Sequence, residues 1–153
     1  MTSQPGSTAV DFPVDTIRPL LLEEFAVIDS LLAALDSDGW FTPTNLPGWT
    51  VKDIVAHLIG TESMLAGIEA PHVNIDVHAL AHVRNEIGAF NEHWVESLRG
   101  TPGSEVLAQY RQIVAHRTEQ LSAMTQEDFE APADTPVGRA TYGRFMRIRI
   151  FDC

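Results

Sequence analysis

Apolar residues recur at spacings of three and four along most of the chain. Ile17, Leu20, Leu21, Phe25, Ile28, Leu31, Leu32 and Leu35 form one broad stripe, which predicts a helix from Asp15 to Leu35. Pro19 falls near its start, where a missing N–H costs little, and "DSDG" at 36–39 ends it. The loop "WFTPTNLPGW" carries two prolines, a glycine and two tryptophans, the composition of a segment packed down on a helical body. A second helix opens at Thr50 with Thr50-x-x-Asp53, a capping-box pattern in which Asp replaces Glu or Gln. Its apolar face is Val51, Ile54, Val55, Leu58 and Leu65, and it runs to about Ile68, before Pro71. A third helix is predicted from about Val83 to Leu98, with Ile87, Phe90, Trp94 and Leu98 in register. A fourth is predicted from about Ser104 to Met124, using Val106, Leu107, Tyr110, Val114, Thr118 and Leu121. The stretch "TQEDFEAPADTPVGRA" reads as a long loop before a final helix from about Thr141. "RIRIF" at 147–151 alternates like a strand, but Phe145, Ile148 and Asp152 share a helical face and no partner strand is available. No β pattern holds for long, so the fold class is all-α, a bundle of four or five helices.

Length and charge narrow the function classes. The 153 residues fit one domain, with residues 1–12 as a flexible tail and 13–153 as the bundle. A net charge of −11 disfavours binding to a nucleic-acid backbone or an anionic membrane surface. Four of the ten basic residues, Arg139, Arg144, Arg147 and Arg149, nevertheless fall in the last fifteen positions. That locally basic end fits either an anionic ligand or pairing with acidic neighbours. Cys153 is the one cysteine, so an intramolecular disulfide and a zinc-thiolate site are both excluded. The start "MTSQPGSTAV" lacks the basic region and apolar core of a signal peptide, and no apolar run approaches the ~20 residues that cross a bilayer. A cytoplasmic protein is the expectation. The chain stops at Cys153 in mid-pattern, without glycine, proline or a polar tail, so the final helix is expected to be cut short and the bundle incomplete there.

Two residues on different helices carry the candidate chemistry. Asp152 shares a face with Phe145 and Ile148, and a carboxylate on an apolar stripe needs a partner or a metal. Arg149 at i−3 is the ordinary partner. His57 lies beside the apolar stripe of the second helix, next to Asp53 and Thr61, and taken alone is more often structural. Together they offer one nitrogen and one carboxylate oxygen to a catalytic zinc, which needs three protein ligands and an open position. A histidine four residues after Asp152 would be the third, at position 156, beyond the last residue. A rival pair is His78 and His82, with His72 nearby, if "DVHALAH" is helical; an exposed connector is the plainer reading. Glu69-x-x-His72 matches a di-iron spacing once, but Pro71 interrupts it. Glu62 also falls on the apolar face of the second helix, either paired with a terminal arginine or near the site. Nothing flanking Cys153 marks it as a nucleophile.

"PTNLPGWTVKDIVAHLIGTE", "HVRNEIGAFNEHWVESLR" and "TYGRFMRIRIFDC" together resemble the mycothiol-dependent maleylpyruvate isomerase group of the DinB-like superfamily. The resemblance implies a four-helix bundle holding a divalent metal, usually zinc, at one end. It implies His57 as one ligand, Asp152 as a second in a position often held by Glu, and a histidine four residues later as the third. It further implies a metal-activated thiol, mycothiol or a similar small thiol, that attacks an electrophile in isomerisation or S-transfer. The expected partners are thus a small-molecule thiol and an electrophilic substrate, with Arg144 and Arg149 as candidates for holding anionic groups. The alternative is a non-catalytic bundle that binds metal or a small molecule, or forms a homodimer.

Overall fold

A computed structural model describes residues 12–153, so all but the last residue of the tail expected over 1–12 lies outside the described residues. Four long helices come first: α1 Val14–Ala33, α2 Val51–Leu65, α3 Glu86–Ser97 and α4 Gly103–Ala123. A short helix α5, Gln126–Glu130, follows, then strands β1 Pro132–Thr135 and β2 Gly138–Thr141, and a last helix α6, Tyr142–Asp152. The all-α bundle is what the periodicity predicts, and "RIRIF" is helical as expected. Helix α2 packs on α3 and α4, while α1 packs on α4 and α6.

Local chemistry sets the helix starts. The Thr50 side chain accepts the Asp53 N–H, and Asp53 accepts the Thr50 N–H at 2.8 Å, so the capping box forms and fixes where α2 begins. Helix α3 starts three residues later than its apolar pattern suggests, because Asn85 caps it by accepting the Gly88 N–H at 2.8 Å. Its buried face is also rotated from the predicted stripe. Ile87 is 51% exposed, whereas Val95 is fully buried beside Trp94 and Leu98.

The long loop predicted over 125–140 is not a loop. Thr125-x-x-Asp128 repeats the capping box of α2 and starts α5. An antiparallel hairpin follows, with Pro132 opposite Thr141 and Thr135 opposite Gly138. Its turn is closed by Thr135 Oγ1, which donates to the Gly138 carbonyl at 2.7 Å and accepts the Val137 N–H at 3.2 Å. Gly138 takes φ +105°, which glycine alone adopts without strain. Four-residue strands are too short for a period-2 signal, and they pack against α6 rather than a second sheet.

The core has two apolar halves. One gathers Trp40, Val55, Ile59, Trp94, Val95 and Tyr110. The other gathers Leu21, Phe25, Leu121, Phe129, Phe145 and Met146. Where α2 meets α3, Gly60 faces Trp94, and a Cβ on Gly60 would fall 2.5 Å from Trp94 Cδ1. Gly60→Ala would normally favour a helix by ~1 kcal/mol. Here the clash is expected to reverse the sign and lower stability by about 1–3 kcal/mol, read from the midpoint of urea unfolding.

Candidate functional site

A cavity of about 1290 Å³ opens between α2, α3 and α6, with the hairpin tip and the segment around His82 on its rim. Its wall is largely apolar, with Trp49, Ile54, Phe90, Phe145 and Ile148 among the lining side chains. His57 and Asp152 both line it.

The start of α2 at the Thr50 cap directs His57 toward α3 and α6. His57 Nδ1 lies 3.0 Å from Asn91 Oδ1, and Nε2 lies 3.3 Å from Asp152 Oδ2. The ring also sits 5.7 Å from that of Trp49, centroid to centroid. Its two ring nitrogens thus face an amide oxygen on α3 and a carboxylate oxygen on α6, and the tautomer decides which of them donates. The hydrogen bond with His57 holds the Asp152 carboxyl below the ordinary range, and the Arg149 guanidinium adds to the effect.

Asp152 therefore has both of the partners that its position on α6 allows. Arg149, one turn earlier, donates from Nη1 to the same Oδ2. Arg149 is itself buried and donates from Nε to Glu62 Oε1 at 2.8 Å. Arg117 of α4 reaches the other oxygen of Glu62 at 2.9 Å, and also donates to Gln120 and to the Tyr142 hydroxyl at 2.9 and 2.7 Å. Of the two roles open to Glu62, pairing with a terminal arginine is thus realised, and that pairing also brings it next to the site. Charge balances locally, with two carboxylates against two guanidiniums.

Arg144 and Arg149 are not brought together. Arg144 is exposed and is not among the residues that line the cavity, while Arg149 is buried against Glu62 and Asp152. His78 and His82 do not form a helical pair, because only Val77–Ala79 makes a single 3-10 turn. His78 lies 3.9 Å from Glu86, whereas His82 turns inward to Glu92. Burial pushes the Cys153 thiol up to about 12, against the pull of Arg149, so it is a poor nucleophile at neutral pH. Among the described residues, no three His, Cys, Asp or Glu side chains are placed to share a metal ion.

Asn91 and Glu92 are absent from the reading of the sequence, yet both line the cavity. Their signal is the true buried face of α3, on which Ala89, Glu92 and Val95 follow at spacings of three. The expected register through Ile87 places Glu92 on the wrong side.

A family model described as mycothiol maleylpyruvate isomerase N-terminal domain matches residues 21–153. The chain belongs to that family. The matched span contains His57, Glu62, Asn91, Arg117, Arg149 and Asp152, so the mycothiol maleylpyruvate isomerase N-terminal domain includes every residue of the centre described above. No curated protein and no solved structure gives a significant match. No helix among the described residues is long and apolar enough to cross a membrane.

The Glu62 cluster is the structural base of this centre. Glu62→Gln would leave two buried guanidiniums facing a neutral amide. A loss of about 3–5 kcal/mol in unfolding free energy is expected, measured by urea denaturation at pH 7.

Proposed function

We propose that this chain is the metal-holding bundle of a zinc-dependent isomerase or S-transferase that uses mycothiol or a similar small thiol. The observation that carries the reading is the contact of His57 Nε2 with Asp152 Oδ2 at 3.3 Å inside the cavity. Two ligands at about 2.0–2.2 Å from one tetrahedral ion stand at about this separation from each other. The donor set also suits zinc: a neutral imidazole whose other nitrogen donates to Asn91, and a carboxylate already hydrogen-bonded by Arg149. Family membership supports the thiol.

Each residue then has a part. His57 supplies Nε2, with Asn91 fixing its tautomer and ring orientation. Asp152 supplies an oxygen, and Arg149, anchored on Glu62, holds that carboxylate in place. A third ligand would stand at position 156, one turn after Asp152, in a chain that extends that far. A bound zinc would lower the pKa of a coordinated thiol, so that the thiolate is available at neutral pH. The apolar wall keeps water away from the sulfur and receives the electrophile. This chemistry belongs in a reducing, cytoplasmic setting, where the small thiol stays reduced.

Zinc titration of this chain, and of one extended past residue 156, tests the reading. The extended chain is expected to bind one zinc tightly and the shorter one more weakly. Binding that survives His57→Ala unchanged, or no binding by the extended chain, would refute it. Asn91→Ala is expected to weaken zinc by about 10–100-fold without unfolding the protein. A zinc-loaded chain that reacts with no electrophile in the presence of mycothiol would point instead to a non-catalytic binding bundle.

A further inference from the structure

Charge and apolar surface are unevenly distributed around the cavity. Four acids line it, Glu86, Glu92, Asp134 and Asp152, against two guanidiniums, Arg84 and Arg149. Arg149 is committed to Glu62 and Asp152. His82 faces Glu92 Oε1 at 2.5 Å, and that oxygen also accepts from Trp49 Nε1 at 2.7 Å. His57 lies between Asn91 and Asp152. Of the two guanidiniums, only Arg84 is without an acidic partner among the described residues, and the exposed Glu86 follows it two positions later. The chain as a whole carries a net charge of −11. Such a field repels an anion from the mouth, and one exposed guanidinium near an exposed carboxylate does not reverse it.

The apolar groups point the other way. Trp49, Phe90 and Phe145 bring three aromatic rings to the lining. Leu46, Met64 and Ile87 line the cavity too, yet they are 50%, 42% and 51% exposed. They come from three separate elements: the loop before α2, the last turn of α2 and the first turn of α3. Large apolar side chains left half in water around one cavity mark a surface that a ligand covers. The volume of about 1290 Å³ also exceeds the roughly 300–1,000 Å³ of an ordinary ligand pocket, which leaves room for a second molecule beside a small thiol.

We infer that the cavity takes an uncharged small molecule with a largely apolar body, and that this is the class of electrophile the protein acts on. That it is the electrophile rests on the thiol-using function proposed above, whereas its binding needs neither metal nor thiol. The body is held by burial against the aromatic rings and by covering Ile87 and its neighbours at the mouth. A dicarboxylate or a phosphate ester is selected against, because its charges would lose water in a cavity whose acids outnumber its cations.

Two fluorescent probes of one framework test the binding on the chain itself. N-phenyl-1-naphthylamine is uncharged, and 8-anilinonaphthalene-1-sulfonate is the same molecule carrying a sulfonate. The neutral probe is expected to bind at least about 10-fold tighter than the anion. Ile87→Ser is expected to weaken the neutral probe by roughly 3–10-fold, with an unchanged urea midpoint because the side chain is half exposed. Leu31→Ser, at an apolar position on α1 that is 64% exposed and outside the cavity, is expected to leave it unchanged. Glu86→Gln combined with Asp134→Asn is expected to strengthen the sulfonate by roughly 2–5-fold and not the neutral probe. No binding of the neutral probe, tighter binding of the sulfonate, or a loss in Leu31→Ser and not in Ile87→Ser overturns the inference. A second measurement follows mycothiol and the uncharged electrophile monobromobimane on the zinc-loaded chain extended past residue 156. The neutral probe is expected to inhibit this reaction competitively against monobromobimane. An active chain that the bound probe does not inhibit sinks the assignment of the bound molecule as the electrophile. A zinc-loaded chain with no rate above background sinks the thiol reading and that assignment with it, while the probe affinities still decide what the cavity binds.

Discussion

The carboxylate of Glu62, held between the guanidiniums of Arg117 and Arg149, is the contact on which the rest of the molecule depends. It joins three helices at one point: α2 through Glu62, α4 through Arg117 and α6 through Arg149. All three side chains are buried, so water screens little of their attraction. The arrangement also spans the two apolar halves of the core. Arg117 falls on α4 between Ile113 of one half and Leu121 of the other. An apolar trio of similar volume could match its stability. It would not reproduce its directionality, because a guanidinium fork fixes the angle and depth at which α6 meets α2.

That directionality reaches the cavity through one side chain. Arg149 uses Nε for Glu62 and Nη1 for Asp152, so the position of the Asp152 carboxylate follows from the buried cluster. His57 is fixed independently, by the Thr50 cap at the start of its helix and by Asn91 across from it. The two groups meet because two separate frameworks place them, one ionic and one built from backbone capping. A site made this way is preorganised without any loop having to close.

How far the sequence alone reaches differs between its parts. The four long helices are legible because each carries a stripe of 3.6 period over three turns or more. The meeting of His57 with Asp152 is legible because both are polar residues beside apolar stripes, and such residues need partners. Thr50-x-x-Asp53 announces a helix start in plain view, and Thr125-x-x-Asp128 does so equally. The second is hidden only by its short helix and by the proline-rich stretch after it. Glu92 and His82 are not legible, since their pairing depends on the rotation of α3. That rotation follows from the Asn85 cap and the packing of Trp94 on Gly60, which the spacing of Ile87, Phe90 and Trp94 does not encode.

The small hairpin brings a division of labour. Its strands lie against α6, while its tip, Asp134 to Pro136, forms part of the cavity rim. The turn is closed by its own Thr135 and Gly138 and takes nothing from the helices at that point. Residues can therefore be added or exchanged at the tip without disturbing the register of the bundle. The buried ionic joint thus constrains the helices, while the two-residue turn that borders the cavity stays outside that constraint.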